Sequence, residues 1–291
     1  MKLQQAQRKH AKIKMALQGP SGSGKTMSSL LLAYGLCQDW SKIAVIDTEN
    51  HSSELYAHLG PYQVLQLAAP FTPERYTEAI QVCEKVGAAV IILDSITHEW
   101  ENLLDYHSSL PGNSFTNWSK ITPRHNGFIQ HILQSGCHII ATVRTKQDYV
   151  LSDRNGKMVP EKVGLKSVQR DGLEYEFTLV FDLDIRNNAT ASKDRTGLFF
   201  GKPEQKLSPE TGKQIALWCT SGNPVAAEEV LDRIRSCQVL KDLLALYYQY
   251  PQFSSELKAE FEARKQQIQA ASLKSNVLPK PVISSNGKPH Y

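Results

Sequence analysis

The stretch Gly19-Pro20-Ser21-Gly22-Ser23-Gly24-Lys25-Thr26 constrains this chain more than any other. It fits G-x-x-x-x-G-K-[ST], the phosphate-binding P-loop pattern. Gly22 and Gly24 carry no Cβ, so successive backbone N–H groups can turn inward around phosphate oxygens. Lys25 adds a cation for the β- and γ-phosphates, and the Thr26 hydroxyl is a candidate Mg²⁺ ligand. The setting agrees. Residues 12–17 read as a strand, and residues 26–36 read as a helix free of proline. Such a helix points its positive dipole end at the same anion.

The 291 residues suit one large domain with an appendage, and 41% hydrophobic content supports a substantial core. A net charge of +4 is too mild to announce nucleic acid by itself. Cys37, Cys83, Cys137, Cys219 and Cys237 are widely spaced, with no C-x-x-C, and read as reduced thiols of a cytoplasmic protein. The first residues are basic and polar, unlike a signal peptide, and no segment approaches a membrane span. A soluble protein without membrane attachment is expected.

Apolar runs at 42–47, 62–67, 88–94 and 138–143 read as strands, with a helix capped by Thr72-Pro73 between the second and third. Residues 98–122 are weakly patterned, and Thr122-Pro123 reads as a helix start. The alternation of strand and helix predicts an α/β fold with a mainly parallel twisted sheet. Residues 146–172 read as a long polar loop. A strand over 176–185, a turn at Asn187-Asn188 and further strand at 189–193 and 197–200 predict a hairpin at the sheet edge. Ser208-Pro209 starts another helix. The expected organisation is a nucleotide-binding domain over 1–220, a small helical appendage over 225–271, and a disordered tail over 272–291.

Asp94 ends the apolar run at 88–94, the Walker B position, where it would hold Mg²⁺ with Thr26 and with help from Ser95. Glu49, 24 positions after Lys25, sits at the C-terminal end of the strand expected beside the P-loop strand, and is the candidate to orient or deprotonate an attacking water. Asp47 is a cap for the following segment or a second metal ligand, with the cap favoured. Thr142, Arg144 and Lys146 either sense the γ-phosphate or form a solvated loop mouth. Lys193 and Arg195 are candidate catalytic cations reaching a neighbouring subunit's nucleotide, or a solvated basic turn. Lys146, Arg154, Lys157, Lys162, Lys166 and Arg170, with Tyr149 among them, form a basic stretch suited to single-stranded nucleic acid.

Together these residues resemble the RecA/RadA branch of P-loop ATPases. The resemblance lies in Gly19–Thr26, in Ile46-Asp47-Thr48-Glu49 and in Ile91-Ile92-Leu93-Asp94-Ser95. Lys193-Asp194-Arg195-Thr196-Gly197 is similar to the Lys-Asn-Arg-Phe-Gly box of RadA-type proteins, with Asp and Thr substituted. The resemblance implies that Glu49 is the water-activating base, that 144–172 stands in the place of the second DNA-binding loop, and that Gly112 to Ser119 stands in that of the first. The span from Lys12 to about Trp218 looks like the short phage-borne Sak group of single-strand annealing ATPases. That implies ATP and Mg²⁺ as cofactors, single-stranded DNA and a homo-oligomer as partners, a single-strand-binding protein as a further candidate partner, and a role in phage or prophage recombination, annealing or replication. Two alternatives stay open: a P-loop kinase of a small molecule or polynucleotide, and a non-hydrolysing nucleotide-dependent adaptor.

Overall fold

The computed structural model describes residue 6 and residues 8–154, 157–223 and 225–275. The chain divides into two compact units, Met1–Val225 and Ala226–Tyr291.

The first unit is built on β1 (Lys14–Gly19), β2 (Ile43–Asp47), β3 (Gln63–Gln66), β4 (Val90–Asp94), β5 (His138–Arg154), β6 (Lys157–Ser167), β7 (Leu179–Leu183) and β8 (Ala189–Asp194). The order across the sheet is β3-β2-β4-β5-β1-β7-β8, with β6 paired to β5 beyond that path. The strands from β3 to β7 along this order run parallel, while β8 and β6 are antiparallel to their partners. This is an α/β RecA-like fold, as expected.

The strands β2 and β4 are buried at every position, as continuous apolar runs covered on both faces require. Alternate residues feed two cores. Ile46, Leu93 and Ile139 face Tyr76 and Ile80 of α2 (Pro73–Lys85) and Phe128 and Ile132 of α4 (Ser114–Gln134). Val45, Ile92 and Ile140 face Leu30 and Leu32 of α1 (Lys25–Cys37) and Ile215 of α5 (Pro209–Thr220). At the α1–α5 crossing the backbones nearly touch. A Cβ on Gly35 would lie 2.0 Å from the Pro209 carbonyl oxygen, and one on Gly212 would lie 2.4 Å from that of Leu32.

Several segments depart from the sequence reading, and β2, expected beside the P-loop strand, is separated from β1 by β4 and β5. The weakly patterned stretch contains α3 (Thr97–Ser109), whose Trp100 and Leu103 are buried. Helix α4 starts at the Asn113 cap and contains Pro123, instead of starting there. Proline removes one helical hydrogen bond. Against that loss, Ile121 is buried and Trp118 stacks on His107 at 4.3 Å and on Trp100 at 6.0 Å. Most of the stretch 112–119, expected as a first DNA loop, is therefore helix. The long loop expected after 143 is a hairpin: β5 continues through Arg154 and pairs with β6. Residues 197–200 are not strand. The Asp194 carboxylate accepts from the backbone N–H groups of Thr196, Phe199 and Phe200 at 2.7, 2.7 and 3.0 Å, so those groups are unavailable to a ladder.

The second unit holds α6 (Ala227–Ser236), α7 (Leu240–Gln249) and α8 (Lys258–Ser275). Val230, Ile234, Leu243, Leu246, Phe261 and Ile268 are buried within it. Residues 272–275, expected to begin a tail, close α8, and 276–291 lie outside the described residues. Among the described residues no helix is long and apolar enough to cross a membrane.

Candidate nucleotide site

The pairing Asp47↔Asp94 and the pairing Gly19↔Arg144 place these residues along the C-terminal edge of the parallel strands. Open α/β sheets bind ligands at this edge. Gly22 and Gly24 hold φ of 79° and 77°, a left-handed backbone that glycine adopts without strain. Gly24 is the N-cap of α1. Lys25 Nζ folds back onto the carbonyl oxygens of Gly19 and Pro20, 2.9 Å from each. Burial lowers its pKa, opposed by the charges of Asp94 and Glu49.

Asp94 is 2% exposed. Thr142 Oγ1 donates to its Oδ1 at 2.5 Å and Thr26 Oγ1 to its Oδ2 at 2.7 Å. Burial pushes this carboxyl above its usual range, against those two hydrogen bonds, and the neighbouring Glu49 and Asp47 charges add to the rise. A buried carboxylate bracketed by hydroxyls and other carboxylates is a donor set suited to Mg²⁺. Ser23 Oγ is buried without a hydrogen-bond partner inside the loop. An orphaned hydroxyl flanked by two glycines in the left-handed backbone suits donation to a phosphate oxygen. The residues present therefore fit a nucleoside triphosphate and its cation.

Asp47 accepts from Glu49 N at 2.7 Å and from Ser53 N and Oγ at 2.9 and 2.6 Å. It caps the 3-10 turn of residues 52–59, as favoured from sequence. Glu49 is bound by both arms of one guanidinium. Arg144 Nε donates to its Oε1 at 2.9 Å, and Nη2 donates to its Oε2. Ser95 Oγ adds a hydrogen bond at 3.1 Å, so Ser95 serves Glu49 in this structure. Thr48 Oγ1 meets His98 Nδ1 at 2.8 Å and accepts from Ser95 N at 2.9 Å, which ties the ends of β2 and β4 together. Burial, then the Arg144 charge, lowers the His98 pKa. Glu49, Arg144, His98, Phe71 and Gln66 line a cleft of about 420 Å³.

Thr48, Thr142, His98 and Arg144 thus complete the site. Sequence reasoning had Thr142 and Arg144 either as phosphate sensors or as a solvated loop mouth, and assigned His98 no part in the site. Lys193 and Arg195 are not brought to this site. Asp194 pairs with Leu179, which pairs with Met15 near the start of β1, at the opposite end of the sheet from the P-loop. Lys193 Nζ donates to the carbonyl oxygens of Glu174 and Tyr175 at 2.7 and 2.5 Å, and Arg195 Nη2 donates to Tyr175 at 3.0 Å.

Of the basic stretch, Lys146 and Lys166 are exposed and directly opposite each other on β5 and β6. Lys166 pairs with Asp171 at 2.9 Å, and Arg170 Nη1 donates to Asn126 Oδ1 at 3.0 Å. The side chains of Tyr149, Arg154, Lys157 and Lys162 lie outside the described residues.

A glycine-rich loop, its lysine and hydroxyl, and a strand-end carboxylate on a RecA-like sheet define a P-loop nucleotide-binding ATPase fold. A family model described as an AAA domain matches residues 11–211, and the chain belongs to that family. No curated protein matches it. Among solved structures the chain is similar to a KaiC-like protein of the hyperthermophilic archaeon Pyrococcus horikoshii OT3. The identity is 15% and the TM-score 0.40, over 70% of this chain and 96% of that one.

Proposed function

We propose that this protein hydrolyses ATP with Mg²⁺ and acts on single-stranded DNA, in annealing or recombination of the kind carried out by the phage proteins its motifs resemble. Lys25 and the loop amides bind the phosphates, Thr26 and Asp94 hold the cation, and Glu49 orients and deprotonates the attacking water. Bound there, Mg²⁺ would neutralise charge developing on the phosphates. Lys193 and Arg195, remote from their own P-loop, would serve the site of a neighbouring copy in a homo-oligomer.

One observation supports linking ATP to a polyanion. Arg144, which grips Glu49, is a residue of β5, the same strand that carries Lys146 opposite Lys166 two residues on. Asp171 offsets Lys166 only in part, and with the exposed Lys146 opposite it the ladder keeps a local excess of positive charge to which a phosphate backbone would be drawn. The test is ATP turnover with and without single-stranded DNA. A several-fold rise is expected. Replacing Lys146 and Lys166 by Ala should reduce the salt slope of DNA binding by about 0.7 per lost phosphate contact. No stimulation together with an unchanged slope rejects DNA as the partner.

A kinase reading has one observation in its favour: the 420 Å³ cleft beside Glu49 has room for a small acceptor. Phosphate released in step with ATP consumed rejects it.

A further inference from the structure

We infer that the β7–β8 turn, residues 184–188, is the nucleoside subsite, with Ile185 as the side chain that covers one face of the base. This deepens the ATP reading and rests on it.

The placement follows from the sheet order. Glu49 and Asp94, at the ends of β2 and β4, lie on one side of β1, and the β7–β8 turn lies on the other. A triphosphate held over the P-loop with its terminal phosphate toward Glu49 leaves its nucleoside on the β7 side. The turn is in contact with the loop there. Asn187 Nδ2 donates to the Gly22 carbonyl oxygen at 3.2 Å, and a Cβ on Gly24 would come within 2.8 Å of the same Nδ2.

The turn is rigid enough to serve as a platform. The Asp184 carboxylate accepts from the backbone N–H groups of Arg186 and Asn188, each at 2.8 Å, and from Asn188 Nδ2 at 3.2 Å. Asn187 holds a left-handed backbone, φ 64°, which asparagine tolerates better than most residues. Ile185 is 76% exposed, and Arg186 beside it is exposed as well. Both cores are satisfied without Ile185. An apolar side chain with a guanidinium next to it, on a fixed turn beside a phosphate cradle, suits the flat π-face of a nucleobase. Asn187 acts as a positioning residue, fixing the turn to the loop.

Calorimetric titration of the full chain with MgATP and with inorganic tripolyphosphate separates the base from the phosphates. Ile185→Ser should weaken ATP binding about five- to tenfold, because a buried aliphatic contact is lost, and should leave tripolyphosphate binding unchanged. Ile185→Leu should restore ATP affinity. Unchanged ATP affinity in Ile185→Ser, or a parallel loss of tripolyphosphate, overturns the assignment. A wild-type protein that binds neither ligand overturns the ATP reading itself, and this one with it.

Discussion

Removing the Arg144 side chain asks whether the guanidinium restrains Glu49 or assists the reaction. The structure favours restraint, since both carboxylate oxygens are engaged by Arg144. Unit charges about 4 Å apart at an effective dielectric of about 20 interact by about 4 kcal/mol. The Arg144 side chain is 42% exposed and that of Glu49 22%, so water screens much of this. A bidentate pair so placed is worth about 1–2 kcal/mol. That must be spent to free the carboxylate for water, and about 1.4 kcal/mol is tenfold in rate. Arg144→Ala should therefore raise ATP turnover without DNA roughly tenfold and shrink the ratio of stimulated to basal rate. The backbone N–H of residue 144, which donates to Thr97 Oγ1 at 2.9 Å, is untouched, so the strand end keeps its anchor. Steady-state phosphate release, alongside ATP affinity, reads the effect. A fall in basal turnover of tenfold or more at unchanged affinity refutes the argument and makes Arg144 a partner of the reacting phosphate.

Glu49→Gln should cut turnover by about a hundredfold or more while ATP affinity holds, since the amide keeps an oxygen for Arg144 or Ser95; single-turnover chemistry that proceeds at the wild-type rate rejects Glu49 as the base. The fold should also weaken in acid at His138. This residue is 7% exposed, its Nδ1 accepts from the Ile13 N–H at 3.1 Å, and burial, with the Lys12 and Lys14 charges, pulls its pKa from 6.5 to about 3. Because the folded value lies below the unfolded one, its contribution is complete above pH 6.5. It is lost as pH falls toward 3, at up to about 1.4 kcal/mol per unit. Urea midpoints of His138→Gln should vary less between pH 6 and 4 than those of the wild type, and parallel curves would remove His138 from the account.

The parts of the site legible in the sequence are those fixed by neighbours along the chain. The P-loop glycines, the apolar runs ending at Asp47 and Asp94, and the Ser208 and Thr72 caps each carry their reason within a few residues. The missing parts are pairings over long separations. Arg144 meets Glu49 across 95 positions and Asn187 meets Gly22 across 165, and neither side chain announces its partner. The hairpin was missed for another reason. Its Lys, Asp and Glu residues read as solvated loop, yet Asn155-Gly156 stands between a Tyr149-Val150-Leu151 run and Met158-Val159, a strong hairpin signal. Helix α3 could have been found from Trp100, Leu103 and His107 at helical spacing. Only the sheet register could place Lys193 far from the P-loop, because antiparallel pairing reverses which end of the sheet a strand's last residues occupy.

The crossing at Gly35 and Gly212 limits which residues the two helices can carry there. With carbonyls lodged where any side chain would stand, α1 and α5 pack backbone to backbone and neither position has room for a Cβ. The anion-binding end of α1 is thereby set in a fixed mount. A methyl group added at either glycine should injure the whole mount before it touches any ligand.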